Sequence, residues 1–142
     1  MSILLVDDTR TEQHIMTVRL SEMGHEVVCC SNGQEAIELY NQNDVDLVLM
    51  DVRMVQVSGL EALVQIKSYN PAIPVIIMTA YASEQSAIDA VNLGAFSYMQ
   101  KHCKNDEIKM VVRNAMALRK AKTENMKLKK ELQNRSRQKN SI

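Results

Sequence analysis

Five short apolar runs punctuate the chain, at residues 3–6 (ILLV), 26–30 (EVVCC), 45–50 (VDLVLM), 74–79 (PVIIMT) and 95–100 (AFSYMQ). Their lengths and β-branched content predict strands buried on both faces. Pro74 stands first in its run, where a missing N–H donor is tolerated. Between the runs, apolar positions recur at helical spacing. Helices are predicted over 11–23, 34–40, 60–69, 84–93 and from 105 onward. In the first, Ile15, Val18 and Leu20 are expected near one face. Ser31, Asn32 and Gly33 open the second, and Gly24 and Gly94 are expected to end the first and fourth.

Strands alternating with helices require right-handed crossovers, giving a parallel sheet covered on both faces. The expected class is therefore α/β, a doubly wound five-stranded sheet. The period is too irregular for a repeat protein.

In such sheets ligands bind beyond the carboxyl ends of the strands. Asp7 and Asp8 follow the first run, and Asp51 follows the third. Thr79 ends the fourth, and Lys101 follows the fifth. Any one of these is ordinary as a cap or turn residue; together they bring three carboxylates, a hydroxyl and an ammonium to one edge. Crowded carboxylates repel unless compensated. A hard divalent cation with oxygen ligands, Mg²⁺, is the natural compensation. Beside it a carboxylate acts as nucleophile toward phosphorus, while cations and donors hold the transferring oxygens. The third strand thus exists to present Asp51.

Composition changes the picture little: 46% apolar and 24% charged residues describe an ordinary globular chain. No run reaches the roughly 18 apolar residues of a membrane span. MSILLVDD turns acidic too early for a signal peptide, so the cytoplasm is the expected location. Three cysteines, two adjacent (Cys29, Cys30), suit neither a disulfide framework nor a metal-ligand spacing. Charge is more telling. Residues 1–116 carry 15 acidic and 8 basic side chains, a net −7, whereas residues 117–142 carry 2 and 9, a net +7. An acidic globule bears a basic tail.

LLVDD, LVLMD, PVIIMTA and the segment from Tyr98 to Lys101 resemble the motifs of a two-component response-regulator receiver domain, over about residues 1–118. The resemblance implies a flavodoxin-like sheet of order 2-1-3-4-5. It implies that Asp51 accepts a phosphoryl group from a histidine kinase or phosphotransfer protein, and that Thr79 and Lys101 bind its oxygens. Asp7, Asp8, Asp51 and the backbone carbonyl of Arg53 would hold Mg²⁺. Thr79 and Tyr98 would form the switch, the ring moving inward with Thr79; strand packing is the plainer role for Tyr98.

Two positions depart from the family. DVRMVQVSG has Val55 and Gln56 where Pro-Gly is common. Lys101 is followed by His102 where the family has a cis-proline. A non-proline cis bond costs about 3–4 kcal/mol, so either the fold enforces it or a trans bond displaces Lys101; cis is the expectation. His102, a lone histidine at a solvent edge, is expected to be incidental rather than a base.

The last helix is expected to start near Asn105, with Asp106 and Glu107 suiting its dipole and Ile108, Val111, Val112 and Ala115 packing on the sheet. ALRKAKTENMKLKKEL is rich in helix formers; helical to about residue 135, it spans roughly 45 Å. Leu118, Ala121, Asn125, Leu128 and Leu132 form a short heptad stripe with Asn125 at an a position, which favours a parallel dimer. Residues 119–142 thus read as a basic helical linker and possible short coiled coil. It resembles the linker to an AAA+ domain in enhancer-binding transcription activators. Whether the chain is a fragment of such a regulator or a stand-alone receiver stays open. The fourth helix, fifth strand and fifth helix are the expected switched, dimerising surface, with no specific nucleic-acid contact from this segment.

The predicted function is a phosphorylation-switched signalling module in transcription regulation, catalysing only its own phosphorylation and dephosphorylation. The alternative is a phosphorylation-independent pseudo-receiver acting as a dimerising adaptor. A phosphatase of the haloacid-dehalogenase type would need an Asp at position 53, where Arg stands. A flavin carrier would need a hydroxyl-rich loop after the first strand.

Overall fold

The computed structural model describes residues 2–42, 44–51, 59–80 and 85–139. Five strands and five helices alternate: β1 (Ser2–Val6), α1 (Arg10–Glu22), β2 (Glu26–Cys30), α2 (Gly33–Gln42), β3 (Leu47–Asp51), α3 (Gly59–Tyr69), β4 (Val75–Thr79), α4 (Gln85–Asn92), β5 (Ser97–Gln100) and α5 (Asn105–Lys139). The sheet is wholly parallel, in the order β2-β1-β3-β4-β5.

Period-2 alternation divides each apolar run between two cores. Leu4, Val6, Val48, Met50 and Ile77 meet Ile37, Leu63 and Ile66 on the side of α2 and α3. Ile3, Leu5, Leu47, Leu49 and Ile76 meet Met16, Leu20, Ile108, Val112 and Ala115 on the side of α1 and α5. Both glycine stops are present as left-handed caps, Gly24 at φ 91° and Gly94 at φ 108°. At each, the next residue reaches back into the helix: His25 N–H to Leu20 O at 3.2 Å and Ala95 N–H to Ala90 O at 3.0 Å. These are Schellman closures, which an L side chain would strain. At the entry to α2, the Asn32 side chain accepts from Glu35 N–H at 2.9 Å, and the Glu35 carboxylate accepts from Ser31 N–H at 3.2 Å.

The inward face of α1 differs from expectation. Met16 and Leu20 are buried, whereas Ile15 and Val18 are 40% and 42% exposed. At about 100° per residue, Ile15 and Val18 lie roughly 140° and 160° around the helix from Leu20, so the three cannot share a face. Methionine four residues before Leu20 fills the position. Three strands begin later than their apolar runs, β3 at Leu47, β4 at Val75 and β5 at Ser97. Val45 and Ala95 are nonetheless buried.

Asp46, the one polar residue in its run, has a structural task. Its Oδ2 accepts from Ser2 N–H at 2.9 Å, and its Oδ1 accepts from the Arg119 guanidinium. It therefore ties β1 to α5 at the amino edge of the sheet, where α5 leaves the globule. Partial burial works to raise the Asp46 pKa; the Ser2 N–H and Arg119 outweigh it and hold it below the usual carboxylate range. A depressed folded pKa stabilises above the unfolded value of about 3.9, and that contribution is lost as pH falls through the folded value. Asp46→Asn is expected to reduce stability by about 1 kcal/mol at neutral pH, after allowance for solvent screening. Urea unfolding at several pH values should show the deficit closing below about pH 4.

α5 continues to Lys139, 35 residues in all, or roughly 52 Å. Past Arg119 its heptad positions lie in the open, with Leu128 55% and Leu132 63% exposed. Among the described residues no helix is long and apolar enough to cross a membrane. The three cysteines are unpaired; burial pushes the Cys30 thiol up to about 12, so it packs as a neutral apolar group.

Candidate functional site

Strand register builds the site. Val6 lies beside Met50, so Asp7, one step on, comes level with Asp51. Asp51 pairs with Met78, and Thr79 pairs with Gln100. Thr79 and Lys101 thus follow one step beyond on the neighbouring strands. Rigid β-structure delivers all of them to the carboxyl edge.

Asp7, Asp51 and Thr79 are buried, whereas Asp8 is exposed. Carboxylate oxygens of Asp7, Asp8 and Asp51 lie within 4.8 Å of one another. Lys101 Nζ stands 2.9 Å from Asp51 Oδ2 and 3.2 Å from Asp7 Oδ2. Burial alone would lower the Lys101 pKa; Asp51, and then Asp7, reverse that and raise it above the ordinary lysine value. Three carboxylates against one ammonium leave a net −2 if all are ionised. A cluster of hard oxygen donors with that surplus fits a divalent cation of the Mg²⁺ type.

The loop after β1 is braced from within. Asp7 Oδ1 accepts from Thr9 N–H at 3.0 Å, and Asp8 Oδ1 accepts from the Thr9 hydroxyl at 3.3 Å. Gln13, on the first turns of α1, donates its amide to the backbone oxygens of Asp7 and Cys30, the latter at 3.0 Å. Sequence reasoning did not single out Gln13. Its spacing from Asp7 belongs to no motif, and only the folded crossover shows its reach.

The Lys101–His102 bond is a correction. No cis peptide occurs among the described residues; the bond is trans and His102 takes φ 64°. One non-glycine residue in the left-handed region costs about 1–3 kcal/mol, generally below the roughly 3–4 kcal/mol of a non-proline cis bond. Histidine is also among the residues enriched there. Nor is Lys101 displaced: its N–H donates to Thr79 O at 2.7 Å, and its ammonium reaches both carboxylates. His102 points elsewhere, with Nε2 3.2 Å from Glu12 Oε1.

Tyr98 stays outside the cluster, 42% exposed and beside Ile77 on the opposite face of β5 from buried Met99. Arg53, Val55 and Gln56 lie outside the described residues.

The response regulator receiver domain profile matches residues 3–113. Regulatory protein AtoC of Escherichia coli K12 is 37% identical over 122 residues, covering 86% of this chain and 26% of AtoC. A response regulator receiver domain protein from Clostridium thermocellum superposes with a TM-score of 0.80 at 30% identity, covering 84% of this chain and 97% of that one. NtrX from Brucella abortus superposes at 0.84 with 28% identity, covering 89% of this chain and 29% of NtrX. The chain spans about a quarter of the length of the curated relatives it matches. By the profile that matches most of its length, and by these relatives, the chain belongs to the response regulator receiver domain family.

Proposed function

We propose that this receiver takes a phosphoryl group onto Asp51 from the phosphohistidine of a kinase or phosphotransfer protein. The placement of Lys101 Nζ between Asp51 and Asp7, 2.9 and 3.2 Å away, carries this reading. An Asp51 oxygen forms a bond to phosphorus while the phosphorus–nitrogen bond breaks and the electron pair leaves with the imidazole. Asp7 and Asp8, with the Arg53 carbonyl, are the residues that would hold Mg²⁺. Bound there, the ion would neutralise the carboxylates and the developing charge on the phosphoryl oxygens.

Lys101 leaves its contact with Asp51 to meet the incoming oxygens, and the Thr79 hydroxyl donates to another. Burial keeps competing water away from the Thr79 hydroxyl. The reorganisation of Thr79 gives Tyr98, now outward, reason to turn in, altering the surface of α4, β5 and α5. The output is a change in how two α5 tails pair through Leu118, Ala121, Asn125, Leu128 and Leu132, with residues 1–118 as the sensing unit and 119–142 as the linker. Relatives named as transcriptional regulatory proteins support a role in transcription.

Intact-protein mass spectrometry after incubation with acetyl phosphate and Mg²⁺ tests acceptance, with peptide mapping to Asp51. Light scattering with and without beryllium fluoride tests output. A mass that changes on phosphorylation is expected, and an unchanged dimer would favour a constitutive adaptor.

A further inference from the structure

The trans path through His102 raises a question of support. A chain that turns through a left-handed residue directly after Lys101 needs fixed points on both sides if the ammonium is to stay on Asp51. Upstream, the Lys101 N–H bond to Thr79 O supplies one. Downstream, the fixed points come from α1. Arg19 Nε donates to Asn105 Oδ1 at 2.6 Å, and Arg19 Nη2 donates to the Cys103 carbonyl oxygen. Glu12, seven residues earlier and so on the same stripe of α1, stands 3.2 Å from His102 Nε2. A small cleft there is lined by Asp7, Glu12, Arg19, Met78, Lys101 and His102.

We infer that Arg19, assisted by Glu12, is a positioning residue for Lys101. Its planar guanidinium grips the loop at two points, one of them on the first residue of α5. It thereby holds in the trans form the lysine geometry that a cis-proline would otherwise set. Neither Arg19 nor Glu12 touches the phosphoryl group; each acts through the loop. This rests on the phospho-acceptor reading above. A misplacement of about 1 Å can cost 10²-fold in rate. The flexible lysine stem recovers part of that, so a loss of roughly tenfold is expected when Arg19 releases the loop.

The test compares phosphorylation rates from acetyl phosphate with Mg²⁺ in wild type, Arg19→Gln, Arg19→Lys and Asn105→Ala, the last removing one acceptor while leaving Arg19 in place. Circular dichroism checks each fold. Arg19→Gln should slow uptake about tenfold, with Arg19→Lys and Asn105→Ala in between. In a Lys101→Ala background, Arg19→Gln should slow it no further. Equal slowing with and without Lys101 would overturn the inference, as would wild-type rates in both Arg19→Gln and Asn105→Ala. Wild type that takes up nothing would instead overturn the phospho-acceptor reading itself.

Discussion

Asp51→Asn is expected to abolish phosphoryl uptake from acetyl phosphate while leaving the protein folded. The amide keeps the volume of a buried side chain at the end of β3 but removes the anionic oxygen that attacks phosphorus. Lys101 retains Asp7 at 3.2 Å, so its charge is not stranded. One fewer carboxylate also relieves repulsion with Asp7 and Asp8. The melting temperature without Mg²⁺ should therefore stay close to wild type, and the stabilisation gained on adding Mg²⁺ should shrink. Mass spectrometry and thermal melts with and without the ion read both effects. Uptake at wild-type level in Asp51→Asn would mean that another residue is the acceptor.

Lys101→Ala should slow uptake by roughly 10²–10³-fold, the usual effect of losing one preorganised group that meets developing negative charge. It should also make folding more dependent on a divalent cation, because Asp7 and Asp51 lose the ammonium between them. A larger Mg²⁺-induced rise in melting temperature than in wild type is the expected sign. Alkaline titration gives a further reading. The folded Lys101 pKa lies above the ordinary value, so its stabilising contribution is complete below about 10.4 and is lost only as pH rises through the folded value. In the difference between wild type and Lys101→Ala, that loss should fall in the strongly alkaline range, with no change near neutrality from this group.

The sheet was legible because strands covered on both faces leave continuous apolar runs. The caps were legible because Gly24 and Gly94 mark left-handed positions few other residues occupy. From those runs the carboxyl-edge census followed, and Asp7, Asp8, Asp51 and Lys101 do converge. Periodicity was a poorer guide where helices lean on methionine, as at Met16. It was blind to polar braces. Arg19 meets residues 84 and 86 positions away, and Gln13 reaches across a crossover. No spacing in the chain encodes either. The peptide after Lys101 is not confined to a cis bond or a displaced lysine. A left-handed His102 held from α1 is a third, costing less than a cis bond and sparing the lysine. Asp46 looked like an interruption of a strand; it lies just outside β3 and serves the junction with α5.

The central claim is that oxygens from separate strands gather so that Asp51 can take up phosphorus beside a divalent cation. Fluorine NMR of the full chain with beryllium fluoride tests it most directly. The account predicts a bound fluoroberyllate resonance that appears only with Mg²⁺ and disappears in Asp51→Asn. A wild-type chain with no bound resonance at saturating Mg²⁺, or a resonance that persists in Asp51→Asn, would contradict it.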